Sequence, residues 1–151
     1  MINFEEISWN VPDSVKILVT KKSFSSKKDF NISFSGKNKY EETKKNIDFL
    51  TDNFLPSKPY FIKQAHGRKV IDLDRNIFQS YVADGLVTSK KKQVISILTA
   101  DCMPIVISSI CGSIICVLHV GRKGVEFNII KSAFKILKNY NYSFAVSYTH
   151  L

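Results

Sequence analysis

Three side chains offer the chemistry of metal ligands or of a nucleophile with its base: His66, Cys102 and His119. They stand 36 and 17 residues apart, so no zinc-finger or zinc-ribbon spacing applies and the fold must bring them together. Local pattern shows how two of them meet. Residues 105–109 and 113–118 predict an antiparallel hairpin with Gly112 at its turn. If the turn is Cys111-Gly112, opposite residues sum to 223 in number, so Pro104 faces His119 and Cys102 faces Gly121. Thiol and imidazole then share one open end, a two-residue diagonal of roughly 7 to 8 Å between Cα atoms. His66, in its own loop before Gly67, can supply a third ligand.

Two imidazoles and a thiolate suit Zn²⁺ with one position left open, where a bound water becomes acidic near neutrality. Copper is the second candidate, since it also takes imidazole and thiolate. Spacing alone leaves three readings open: a metal centre, a Cys102–His119 nucleophile pair, and plain structural roles. Asp101, next to Cys102, and Asp84, in Ala83-Asp84-Gly85, are carboxylates that could orient a ligand imidazole, move protons or cap a turn. Gln64 is a candidate substrate hydrogen-bonding group. Arg122 and Lys123 lie between Gly121 and Gly124, read as a loop before a helix, where cations and free N–H groups suit phosphate. The glycine spacing is not that of a Walker A loop. Cys111 belongs to the turn, and Cys116 shares a face with Ile114 and Leu118, which makes it core; the pair's spacing is not the CxxC of a redox site.

The surrounding elements follow from periodicity. Residues 15–20 predict a strand, and residues 21–38 a polar loop with a short strand at 30–34. Residues 41–54 predict a helix with Ile47 and Leu50 on its apolar side, acidic residues in its first turn and Pro56 after it. Strands are expected at 60–63, 69–73 and 94–98, with a turn followed by a short strand over 83–88, then the hairpin, a helix at 125–138 and a last strand at 142–148. Val125, Ile129, Ala133, Phe134 and Leu137 form the stripe of that helix. No regular βαβ rhythm emerges, so the expected fold is α/β or α+β, one domain over residues 1–151 with a mixed β-sheet flanked by helices.

Composition agrees. The chain has 151 residues, 44% hydrophobic and 23% charged, which is globular rather than disordered. The net charge is +9, from 22 Lys+Arg against 13 Asp+Glu, and favours anionic partners. With three Arg (Arg68, Arg75 and Arg122) and lysine runs at 21–22, 27–28 and 90–92, the pattern reads as solvated surface and argues against a nucleic-acid reader. Three cysteines and no signal-peptide pattern in residues 1–10 point to a reducing compartment, the cytoplasm. The apolar stretch 94–120 is broken by Asp101, Pro104 and Gly112 and reads as strands, with no membrane span.

Three blocks resemble the YfiH/laccase-domain family, also called multicopper polyphenol oxidase-like or DUF152 proteins. Gln64-Ala65-His66-Gly67, Ala83-Asp84-Gly85-Leu86-Val87-Thr88 and Thr99-Ala100-Asp101-Cys102-Met103-Pro104 match its motifs in order and separation. A fainter match lies at Asn46 and Leu50. A fourth block departs from the pattern. His119-Val120-Gly121-Arg122-Lys123-Gly124 has Arg122 where the family has Trp and Lys123 where it has Arg, which keeps charge but loses the bidentate fork.

The resemblance covers residues 15–145 and implies that the C-terminal part of the family fold is missing from this chain. It also implies that His66, Cys102 and His119 are zinc ligands, with copper less favoured because the chain has 3 histidines, fewer than blue and trinuclear copper sites use together. The activity implied is that of a zinc-dependent purine nucleoside phosphorylase and adenosine deaminase on adenosine, inosine, guanosine or methylthioadenosine. Asp101 or Asp84 would handle protons, and Arg122 and Lys123 would hold phosphate. Two alternatives remain at this stage. One is a Cys102–His119 hydrolase acting on a peptidoglycan-precursor amide. The other is a non-catalytic basic binding domain with a structural zinc.

Overall fold

The computed structural model describes residues 3–7, 12–21, 30–34, 40–75 and 81–148. Among them the centre of the fold is the hairpin that the sequence predicts. Its strands β5 (Met103–Ser109) and β6 (Ile115–Val120) pair antiparallel, with Pro104 opposite His119. The turn closes through the Gly112 N–H bonded to the Ser109 carbonyl, and Gly112 takes φ +72, which glycine adopts at no steric cost.

Strands β3 (Val70–Asp72), β4 (Gly85–Thr88) and β7 (Phe144–Tyr148) complete a five-stranded mixed sheet of order β3-β4-β6-β5-β7. The β3–β4 pair is parallel and the other pairs are antiparallel. A separate antiparallel pair joins β1 (Asn3–Glu6) to β2 (Leu18–Lys21). No helix among the described residues is long and apolar enough to cross a membrane.

Alternation along β6 decides what each face of the sheet holds. Cys116, Leu118 and Val120 join Val87, Ile105 and Ile107 in a core closed by Ile129, Ala133 and Leu137. These three lie on α3 (Ile129–Leu137) and are fully buried. Val117 points the other way, into a second core with Ile71, Ala83 and Leu86. Ile62, Tyr60, Ile95 and Ile97 pack against that face. His119 therefore belongs to this second face, at its end.

Several expected elements differ from those observed. Residues 60–63 and 94–98 form no strands; they meet at a single parallel bridge, Tyr60 with Ile95, and Lys63 makes another with Val82. Their apolar content serves the sheet's second face and not a ladder. The strand expected at 30–34 is absent. Those residues are held by α1 (Tyr40–Phe54), whose Thr43 hydroxyl and Asn46 amide donate to the Ser33 and Asn31 carbonyls. Residues 22–29 and 35–39 of the expected polar loop, with the 27–28 lysine run and Lys22, lie outside the described residues.

The single helix expected at 125–138 is instead α2 (Arg122–Glu126), α3 and a 3₁₀ turn (Lys138–Tyr140). The break falls at Asn128, which sits at φ 58 and caps α3 by accepting from the Lys131 N–H. Asn tolerates that conformation and caps well, so both properties act at one residue. Val125, placed on the predicted stripe, is consequently on α2 and 67% exposed. After α3, the Tyr140 hydroxyl donates to both oxygens of buried Asp72 at 2.9 Å, which ties the end of the helical segment to β3.

Candidate metal centre

The site is assembled by pairing that continues past the named strands. One residue before β4, Asp84 lies opposite His119. The His119 N–H donates to the Asp84 carbonyl at 2.7 Å, and the Asp84 N–H donates to the Lys69 carbonyl. Directly opposed residues on an antiparallel pair have their side chains on one face. Asp84 Oδ1 accordingly lies 2.9 Å from His119 Nδ1, with Asp84 fully buried and His119 3% exposed.

The same carboxylate organises the His66 loop. It accepts the backbone N–H groups of His66 at 2.8 Å and Gly67 at 2.7 Å, with Ala65 at 3.2 Å. Three consecutive N–H groups converge because His66 adopts φ 56, a left-handed conformation uncommon outside glycine. Burial pushes the Asp84 carboxyl up. The His119 bond and the three N–H donors outweigh it and hold the group below the usual carboxylate range.

With Nδ1 engaged, His119 has Nε2 left for a ligand, the arrangement by which a carboxylate fixes the tautomer of a metal-binding imidazole. The His66 and His119 rings stand nearly perpendicular, with centroids 4.7 Å apart. Cys102 completes the group: ligand atoms of His66, Cys102 and His119 all lie within 4.8 Å of one another. Their exposure is graded, since His66 is exposed, Cys102 half-buried and His119 buried. They open into a groove also lined by Phe61, Ile97, Leu98, Pro104 and Val106.

The sequence model of the family described as multi-copper polyphenol oxidoreductase laccase matches residues 17–147, a stretch that contains every residue of this centre. The chain belongs to that family. Among curated relatives, a purine nucleoside phosphorylase of Rickettsia prowazekii is 34% identical over 58% of this chain and 36% of its own length. A purine nucleoside phosphorylase of Haemophilus influenzae is 28% identical over 85% of this chain and 54% of its own. The chain thus spans between about a third and about half of the length of the relatives it matches. A crystal structure of a DUF152 protein from Neisseria meningitidis superposes with TM-score 0.80 at 20% identity, covering 97% of this chain and 62% of that one. This likeness carries the fold.

Within this laccase-family frame the remaining site residues divide. Gln64 is not free at the groove: its amide donates to the Leu98 carbonyl at 2.8 Å and accepts the Leu98 N–H at 2.7 Å. A side chain thereby imitates one rung of a sheet and ties the His66 loop to the segment leading into Cys102. Asp101 is exposed and lines the groove. Arg122 and Lys123 are exposed too, but they form the first turn of α2 rather than a loop before a helix. Sequence reasoning missed the αL geometry of His66, the Gln64–Leu98 pairing and the clearance at Gly121 described below. The adjacency of Gln64 and His66 was the one available signal for the first two.

Proposed function

We propose that this chain binds zinc through His66, Cys102 and His119 and carries purine nucleoside phosphorolysis, with adenosine deamination as a second reaction at the same centre. One observation carries the proposal: two imidazoles and a thiol converge within 4.8 Å, and a buried carboxylate fixes the tautomer of one imidazole. The donor set fits zinc, which in catalytic sites takes three protein ligands and keeps a fourth position open. Zinc held there would supply a Lewis acid that polarises a substrate oxygen and lowers the pKa of water. The names of the matched relatives support nucleoside and phosphate as substrates. Three free thiols, Cys102, Cys111 and Cys116, suit a reducing compartment such as the cytoplasm.

In phosphorolysis, a phosphate oxygen bonds to ribose C1′ while the C1′–N9 bond breaks, and the proton released by phosphate passes to the departing purine. Arg122 and Lys123, at the surface after Gly121, hold the phosphate by charge. Asp101, exposed at the groove, relays the proton. Asp84 orients and does not relay, because it is fully buried and its oxygens are taken by His119 and three backbone N–H groups. In deamination a water oxygen replaces the amino group at C6, and Asp101 moves a proton to the leaving ammonia.

Metal content of untagged protein purified without added metal, beside Cys102→Ala, is the first test. One zinc per chain that is lost in the variant, with phosphate-dependent release of hypoxanthine from inosine, is the expected result. A folded, metal-free wild type would overturn the metal reading. A second reading has one observation in its favour: Asp84, His119 and Cys102 stand in the order orienter, base and nucleophile. Amide hydrolysis that survives chelation and is abolished by Cys102→Ser would favour it.

A further inference from the structure

Gly121 has no conformational reason to be glycine. Its backbone, φ −84 and ψ 174, is extended, which any residue adopts. As the residue that opens α2 it makes no side-chain cap, and Ser or Asn would cap at least as well. What the position requires is space. A Cβ built there would lie 3.0 Å from Cys102 Sγ and 3.2 Å from His66 Cδ2. Both neighbours belong to the candidate metal centre. The other described glycines differ: a Cβ at Gly67 would meet Asp84 Oδ2 at an ordinary 3.5 Å, Gly85 faces Leu118 and Val70, Gly112 needs its positive φ, and Gly124 abuts the Gly67 carbonyl.

The hairpin register explains the coincidence. Beyond Met103 opposite Val120, the next pair outward is Cys102 opposite Gly121. Opposed side chains share a face with Cβ atoms roughly 4.5 to 5.5 Å apart. With no side chain at 121, the Cys102 sulfur can lean over the bare backbone toward the His66 ring.

We propose that Gly121 is a positioning residue, whose missing side chain sets the approach of the Cys102 sulfur to the His66 imidazole. A methyl group at 121 is accommodated by moving these two groups, because the β6 backbone below it is held on both sides by β4 and β5. The consequence for a bound metal rests on the zinc reading above, but the clearance itself does not.

Two experiments separate these layers. The first titrates cobalt(II) into wild type, Gly121→Ala and Val125→Ala, an exposed α2 position as control, and follows the thiolate-to-cobalt absorption band. Gly121→Ala is expected to weaken cobalt binding roughly tenfold to a hundredfold and to shift or diminish the band, with Val125→Ala unchanged. An unaltered band and affinity in folded Gly121→Ala overturns the proposal.

The second is a metal-free double-mutant cycle in denaturant. The stability cost of Gly121→Ala should fall to about half or less when Cys102 is already Ala, since the 3.0 Å neighbour is then gone. Equal cost in both backgrounds overturns the proposal. If Gly121→Ala alone does not fold, rescue of folding by Cys102→Ala supports it and failure to rescue counts against it. Absence of cobalt binding by wild type would defeat the metal reading, while the cycle would still decide the role of Gly121.

Discussion

Asp84 Oδ1 lies 2.9 Å from His119 Nδ1, and the carboxylate that aligns this imidazole also receives three N–H groups from the loop carrying His66. One buried side chain therefore sets the orientation of one candidate ligand and the backbone path of another. Because the two residues face each other across β4 and β6, the geometry is built into the sheet before any metal binds.

Asp84→Asn is the variant that tests this. It keeps shape but removes the charge and turns an amide donor toward N–H groups that need an acceptor. Taking the charged acceptor away from buried N–H donors costs about 3 kcal/mol. A loss near that size in urea unfolding of the metal-free protein is expected. Metal affinity should drop about tenfold or more, as it does when the carboxylate behind a ligand histidine is lost. Wild-type stability in the metal-free variant would show that the carboxylate does not organise the loop.

Gln64→Leu tests the second tie. Both ends of the Gln64 amide engage Leu98, so the substitution strands one N–H and one carbonyl in a half-buried place. The expected cost is about 1–3 kcal/mol. The distinguishing readout is hydrogen exchange: the Leu98 amide should lose protection while those of β6 keep theirs. Unchanged protection at Leu98 would remove Gln64 from its positioning role.

Acid stability gives an independent test at Asp74. Burial raises its carboxyl, but the Ser89 hydroxyl and N–H, the Thr88 hydroxyl and the charge of Lys90 outweigh burial and hold it below the ordinary 3.8. A carboxyl lowered on folding contributes stability that is present above the unfolded value and lost as pH falls through the folded one. Asp74→Asn should thus lower stability at neutral pH by about 1–2 kcal/mol and flatten the decline of stability with acid below pH 3.8. Parallel acid limbs in the two proteins would refute this.

Legibility of the site in sequence followed contact distance along the chain. The Cys102–His119 approach came from one turn, because a hairpin register is fixed by where its turn lies. The predicted opposition of Pro104 and His119 is the one observed. The union of His66 with them depended on the β4–β6 pairing and on an Asp84 loop bond spanning 18 residues, neither of which any local period encodes. Residues 94–98 show the opposite failure. Their apolar run resembles a strand, yet they pair through one isolated bridge, Ile95 with Tyr60, and through the Gln64 side chain at Leu98. The α2–α3 break was missed because Ile129, Ala133 and Leu137 keep one stripe after Asn128 resets the helix.

The cysteines should separate in reactivity without any metal. Cys111 is exposed on the turn, with its sulfur 3.5 Å from Ser109 Oγ and 3.2 Å from Ser113 Oγ. Hydroxyl donors at those positions favour the thiolate and bring the pKa down to about 7. Cys116 is buried among apolar groups, and burial holds its thiol protonated far above neutrality. Iodoacetamide should therefore alkylate Cys111 with a rate midpoint near pH 7, and Cys116 only after unfolding. Peptide mapping over a pH series separates the two. Ser113→Ala should move the Cys111 midpoint upward; a midpoint that stays put would mean the hydroxyls do not stabilise the thiolate.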